Sequence, residues 1–471
     1  MSSFDKVRNF NAVDLVVLAL GALLAIYFLP ESNVQSAGAL QVSGIFLTIA
    51  LLGPVFIACS RDINQIFRVE LLLLVGVFFW LLIDILQPGF TVFPASYDGV
   101  HNTLVSISLF AFGLLLGIGF WNKETSPNKG LIKKFPIEAY IFPAILVCFI
   151  LGMMRVIFVC GLNVECFVDG ILAPRWYSVW RGVDFGSWDT ILIRLRLLGY
   201  LVFPLTVLLI HYKRQLNWQA IVSLFLCVLF VLVLVQAGGR RQLGIIGGAS
   251  MLVWLSLNQP LNGVKVLKAL FGLFFLMSVM QFMLEVRNHG IGRVIDGEIS
   301  IFSTDDDGEV FHVDRNFQFF SMLSDIVPEL EPHTGFTGIY SIVGSGIPGS
   351  ILPGKPTYNV IDFTKYLGAG RAAGWNWTCS AVCELYLIGG NLVVFAGGIL
   401  FSFLASLGNR ILRQGAGRES VIVYGIFVMV LFVGLRAMRE IFIVGLILVA
   451  IYTLVQGYNL LFRRWKTLRS G

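Results

Sequence analysis

The sequence predicts an all-α polytopic membrane protein, and three observations carry that expectation. Apolar types make up 57% of the 471 residues and charged types only 13%, whereas soluble domains carry about 25% charged residues. The mean hydropathy is +0.82. The apolar residues lie in long runs from one end of the chain to the other, close to the roughly 20 residues that one helix needs to cross a bilayer. Together these exclude a water-soluble enzyme, a disordered chain and a compact nucleic-acid-binding domain. The short alternating strands of an outer-membrane barrel are absent from the pattern.

About twelve runs qualify as spans, at residues 14–29, 40–59, 69–87, 102–121, 137–160, 190–211, 218–236, 242–257, 264–285, 380–405, 420–436 and 441–458. Several are short, notably the eighth, which implies tilt, local thinning or partial re-entry. The first follows Lys6 and Arg8 and has no clear small-residue cleavage site, so it reads as an uncleaved span rather than a signal peptide. No Cys/His cluster has zinc spacing, and no metal or cofactor is expected. Cys59, Cys148 and Cys227 lie in apolar runs and read as small hydrophobes. Cys160 with Cys166, and Cys379 with Cys383, are near enough to bridge in an oxidising compartment, although the pattern is not a disulfide framework and the reading favours free thiols.

Lys and Arg set the orientation. Nineteen of the 34 basic residues fall in one set of loops, from Lys6 and Arg8 through Arg61, Arg68, Lys123–Lys134, Lys213, Arg214, Lys265, Lys268 and Arg410–Arg418 to Arg463–Arg469. That side is assigned to the cytoplasm, with both termini inside. The basic residues of the other side are Arg with two exceptions, Lys355 and Lys365. A topology signal uses both types, so the Arg bias suggests a need for planar forks that grip phosphate or carboxylate.

The chain reads as one integral membrane domain over 1–471, with no repeat and no separate soluble domain. The extracytoplasmic segments are unequal: tight turns at Gly238–Arg241 and Arg436–Glu440, a Trp-rich loop at 161–189, and a large loop at 286–378. So long a loop is expected to carry short surface helices. A helix is predicted over Arg315–Ile326, lying at the membrane surface on an apolar face of Phe319, Met322 and Ile326.

Several constellations could carry chemistry. Gly238-Gly239-Arg240-Arg241 closes a turn just ahead of a helix N-terminus, a place suited to an anion; the ordinary reading is arginines snorkelling to lipid headgroups. Arg436 and Arg439 share a helix face, and Glu440 is expected to pair with Arg436. Arg194 and Arg196 lie at the outer end of the sixth span. Arg155 lies within the fifth, either as a functional group or paired structurally with Asp84 or another carboxylate. His312, beside Glu309, Asp314 and Arg315, is a candidate base, as is Glu384 at the start of the tenth span. Each has a plain alternative, a solvated loop charge or a helix-capping acid. Trp176, Trp180, Trp375 and Trp377 suit sugar stacking or, more ordinarily, an interfacial aromatic belt.

This layout resembles the Wzy-type oligosaccharide repeat-unit polymerases, most strongly over residues 230–440. The residues that carry the resemblance are Gly238–Arg241, the Ile347-Pro348-Gly349-Ser350-Ile351-Leu352-Pro353-Gly354-Lys355-Pro356 stretch, and Cys383-Glu384-Leu385-Tyr386 followed by Gly389 and Gly390. Cys383 departs from the small residue usual before the Glu. The resemblance implies a GT-C-like fold and a metal-independent, inverting glycosyltransferase in the bacterial cytoplasmic membrane, facing the periplasm. It would polymerise undecaprenyl diphosphate-linked repeat units into O-antigen or exopolysaccharide, alongside a flippase and a chain-length regulator, with no nucleic acid involved. Arg240, Arg241, Arg436, Arg439, Arg194 and Arg315 would hold the diphosphate leaving group, with Arg241, Arg439, Glu384 and His312 closest to the chemistry. The alternatives are an O-antigen ligase using the same donor and, in a different class, a transporter or flippase of lipid-linked sugars.

Overall fold

The computed structural model of the protein describes residues 12–121, 138, 140–161, 163–174, 177, 179–180, 183, 185–289, 293, 315–347, 352, 354, 366, 379–413 and 418–445. Among these every regular element is helical. The first half holds α1 (Ala12–Tyr27), α2 (Gln41–Arg61), α3 (Val69–Val77), α4 (Tyr97–Trp121), α5 (Ile141–Cys160), α6 (Val164–Leu172), α7 (Ser187–Leu195) and α8 (Val202–Lys213). The second half holds α9 (Trp218–Gln236), α10 (Arg240–Leu257), α11 (Gly263–His289), α12 (Asn316–Ile326), α13 (Gly335–Gly344), α14 (Ala381–Arg413) and α15 (Arg418–Gly434).

Among the described residues, seven helical stretches are long and apolar enough to cross a membrane: Gln41–Arg61, Tyr97–Trp121, Ile141–Cys160, Ile191–Lys213, Trp218–Gln236, Gly263–Met283 and Ala381–Leu412. The shorter apolar helices Ala12–Tyr27, Val69–Leu82 and Ser420–Gly434 fall on three further expected spans, and α10 falls on the eighth. The twelfth, 441–458, lies mostly outside the described residues. A helix satisfies its own backbone, which is why apolar runs of this length adopt it in a bilayer.

The bundle is held by close contact rather than by burial from water, since lipid is as apolar as leucine. The tightest seam joins α4 and α14. A Cβ on Gly398 would lie 3.1 Å from Gly113 Cα and 2.9 Å from Leu114 N, so the two backbones touch. Ser106 donates to Asn391 Oδ1 at 2.6 Å along the same seam. At one end of the bundle Glu70, 1% exposed, accepts from Arg68 and from Asn409 Nδ2 (2.7 Å), while Asn409 Oδ1 caps the Val69 N–H. The Tyr424 hydroxyl donates to the Phe67 carbonyl beside them.

α14 is not one rod. Gly389 and Gly390 have non-helical dihedrals, and Gly390 has φ +68°, a left-handed value natural to glycine. The break frees the Leu387 carbonyl, which accepts from Thr334 N (2.8 Å) and from Thr334 Oγ1 (3.2 Å). His333 packs edge-on to Tyr386 at the same place. Broken backbone inside a membrane protein persists only where protein groups satisfy it.

The helix expected over Arg315–Ile326 is present as α12, but it is buried within the protein rather than resting on one apolar face. All its residues except Asp325 are buried, Asn316, Phe317, Phe320 and Ser321 completely. The polar residues that look water-facing in the sequence are spent on internal bonds: Asn316 to the Trp80 carbonyl, Gln318 to the Phe93 carbonyl, and Ser324 to the Gly99 carbonyl. α12 is a plug wedged between α4 and the π-turn Phe78–Leu82. α13 keeps the open character expected of a loop helix, with Phe336 81% exposed.

Both candidate disulfides are formed, Cys160–Cys166 and Cys379–Cys383, which overturns the preference for free thiols. The first closes the turn between α5 and α6; the second staples the first turn of α14.

Candidate functional site

Two tight turns build the centre of the site. The first follows α9. Gly238 N–H bonds the Val235 carbonyl and Gly239 N–H the Leu234 carbonyl, with Gly238 at φ +65°, so the chain reverses in three residues and α10 starts at Arg240. The second follows α15 and carries Arg436, Arg439 and Glu440. It is fixed to the start of α14: Ala381 N–H donates to the Leu435 carbonyl at 2.9 Å, and Met438 N–H donates to Glu384 Oε2 at 2.7 Å.

Glu440, 3% exposed at its side chain, joins the turns. Its Oε1 lies 2.5 Å from Arg241 Nη1 and 3.7 Å from Arg439 Nε. Glu440 therefore takes Arg241, not the expected Arg436. Arg436 instead sits over the Trp80 ring, 6.0 Å from its centroid, a cation–π placement. Arg436 and Arg439 remain within electrostatic range of Arg241, and Arg194 within range of Glu440. Arg194 Nη2 donates to the Ser345 carbonyl at 3.0 Å, tying the end of α7 to the end of α13. The two ion-paired arginine side chains keep 29% and 31% exposure, so neither fork is wholly sealed by Glu440.

Glu384 is 4% exposed. Its Oε2 is occupied by Met438, and its Oε1 is buried with no hydrogen-bond partner among the described residues. A carboxyl oxygen left so beside Arg439 and Glu440 is a costly arrangement, and such costs concentrate at functional positions.

The other expected residues fall differently. Arg240 opens α10 beside Arg241. Arg315 precedes α12 at φ 47°, next to Asn316, whose bond to Trp80 brings this end of α12 to the ring under Arg436. Arg155 pairs with Asp189 at 3.3 Å, the structural alternative, with a different acid from Asp84. Trp180 is no open sugar platform. It is 6% exposed, its ring packs against Gly170 and Phe167, and its Nε1 points at Cys160 Sγ. The disulfide-closed turn and the small Gly170 make a socket that takes the indole out of reach. Trp176, Trp375, Trp377 and His312 lie outside the described residues.

Sequence reasoning missed Tyr200. It is 5% exposed and lies within electrostatic range of Arg196, Arg241 and Glu440. Nothing in the local pattern marks it, because Arg241 and Glu440 come from distant parts of the chain. Among the described residues no group of three or more His, Cys, Asp or Glu could hold a metal ion.

The arrangement is a cationic centre, Arg194, Arg196, Arg241, Arg436 and Arg439, around two buried carboxylates, Glu384 and Glu440, at one end of an apolar bundle. It suits binding of a polyanion whose apolar part stays in the bilayer. No family model, curated protein or solved structure matches the chain.

Proposed function

We propose that the protein is a polysaccharide polymerase of the Wzy kind. It would act on undecaprenyl diphosphate-linked repeat units at the outer face of the bacterial cytoplasmic membrane, through about twelve spans in a GT-C-like arrangement. The observation that carries this reading is the meeting of Arg241 and Arg439 on Glu440, with Arg194 and Arg436 in range. A lipid diphosphate is a polyanion that never leaves the membrane. Forked guanidiniums at the bilayer edge would hold it and stabilise the charge that develops as its sugar bond breaks. The acceptor hydroxyl oxygen attacks the anomeric carbon, the bond to the diphosphate oxygen breaks with its electron pair, and the acceptor proton passes to a base or to water. Glu384 is the described candidate for that base or for an orienting group.

The test uses purified protein in lipid discs with a synthetic undecaprenyl diphosphate-linked repeat unit. Chain elongation without any ion gradient, lost in Arg241→Ala and not restored in Arg241→Lys, supports the reading. Normal elongation in both variants, with normal protein level, ends it. Transfer only to a lipid A core acceptor would indicate the ligase. One observation favours the transporter class: the break at Gly389–Gly390, since interrupted helices mark transport sites. Movement of lipid-linked sugar across the bilayer without bond formation would establish that reading.

A further inference from the structure

The stretch joining α7 to α8 is a 3-10 helix, Arg196–Leu201, inside a 23-residue span, Ile191–Lys213. A 3-10 insert in a long helix is uncommon and turns its side chains away from the α-helical register. Here the insert lies hard against α5: a Cβ on Gly152 would sit 2.7 Å from Gly199 Cα. Tyr200, within this insert, packs edge-on against Phe230.

Two donors on this insert, the Arg196 guanidinium and the Tyr200 hydroxyl, face the arginine centre. Tyr200 is 5% exposed, and its neighbours include Arg196, Arg241 and Glu440. Arg196 Nε is buried with no hydrogen-bond partner among the described residues. A buried donor without an acceptor is costly, and Arg196 Nε and the Tyr200 hydroxyl lie near Arg241, which bridges the two turns. What would satisfy them together is a ligand rich in anionic oxygens.

We infer that Tyr200 and Arg196 form a further ligand-binding pair of the arginine centre, donating hydrogen bonds to the oxygens of a lipid-linked diphosphate. This rests on the proposed function and adds a phenol to it. The hydroxyl donates without giving up its proton, so no bond forms or breaks at Tyr200. It fixes the anion in place while Arg241 and Arg439 balance its charge.

The test measures binding of undecaprenyl diphosphate to the full chain in lipid discs, together with thermal unfolding. Tyr200→Phe keeps the ring against Phe230 and removes only the oxygen. It is expected to weaken binding roughly tenfold or more, the scale of a lost hydrogen bond to a charged group, with an unchanged unfolding temperature. Arg196→Gln tests the second donor and is expected to weaken binding similarly. Arg241→Ala is the control for the underlying reading. If Arg241→Ala abolishes binding while Tyr200→Phe and Arg196→Gln bind as tightly as the unaltered protein, the pair is overturned and the arginine centre stands. If Arg241→Ala also binds normally, the diphosphate reading itself fails and takes the pair with it. Should Tyr200→Phe not fold, normal binding by Arg196→Gln alone refutes the pair.

Discussion

Arg241 Nη1 rests 2.5 Å from Oε1 of Glu440, a residue 199 positions later in the chain. This contact locks the turn after α9 to the turn after α15 and turns two local motifs into one centre. Removing either partner leaves a charge poorly compensated. Arg241→Gln and Glu440→Gln should each lower stability, and the double variant should lose less than the sum. A coupling energy of roughly 0.5–3 kcal/mol is expected from the thermodynamic cycle, measured by thermal unfolding in detergent. Additivity would mean that the pair is a passive contact.

Glu384 does two separable things. Its Oε2 holds the Met438 N–H, a bond that a glutamine can also accept. Glu384→Gln should therefore keep the turn in place, while Glu384→Ala should cost about 1–3 kcal/mol by orphaning that N–H. If charge at Glu384 matters to turnover, Glu384→Gln will lose activity at normal stability. Equal activity of Glu384→Gln and the unaltered protein would assign Glu384 to scaffolding alone.

The seam between α4 and α14 depends on absent side chains. Gly398→Val places branched carbon against Gly113 and Leu114 N and should destabilise the protein by about 1–3 kcal/mol. Gly119, in the same helix α4, has nothing within 4 Å of a built Cβ. Gly119→Ala should be neutral or raise stability by up to about 1 kcal/mol. Unfolding curves of the two variants give opposite signs if the packing is as described.

Peptide mapping without reduction should recover Cys160 joined to Cys166 and Cys379 joined to Cys383, with Cys59, Cys148 and Cys227 open to alkylation after unfolding. Because disulfides persist in oxidising compartments, the same experiment reports which end of the bundle faces outward. Recovery of all seven cysteines as thiols would reverse that assignment.

Much of the architecture is legible in the sequence because a bilayer demands length and apolarity, and both are written locally. Eleven of the expected runs coincide wholly or largely with helices. The two arginine turns are legible too, the first because a glycine pair before basic residues signals a reversal at a helix start, the second because charged residues interrupt two apolar runs. What is not legible is partnership. Glu440 has Arg436 and Arg439 within four residues, yet its strongest contact is Arg241. α12 reads as amphipathic because Asn316, Gln318 and Ser324 look wet; their acceptors are the carbonyls of Trp80, Phe93 and Gly99, more than 200 positions earlier. Trp180 looks like a platform until Gly170 is folded against it. Tyr200 is silent in the sequence for the same reason.

The interruption at Gly389–Gly390 divides α14 into two differently anchored pieces. The upper piece, 381–388, is stitched through Ala381, Glu384 and Tyr386 to the turn after α15 and to Val327. The lower piece, from Asn391, is seated along α4. Changes in bilayer thickness or lateral pressure would thus be taken up as a bend between the pieces. The guanidinium geometry would be insulated from the mechanics of the surrounding lipid.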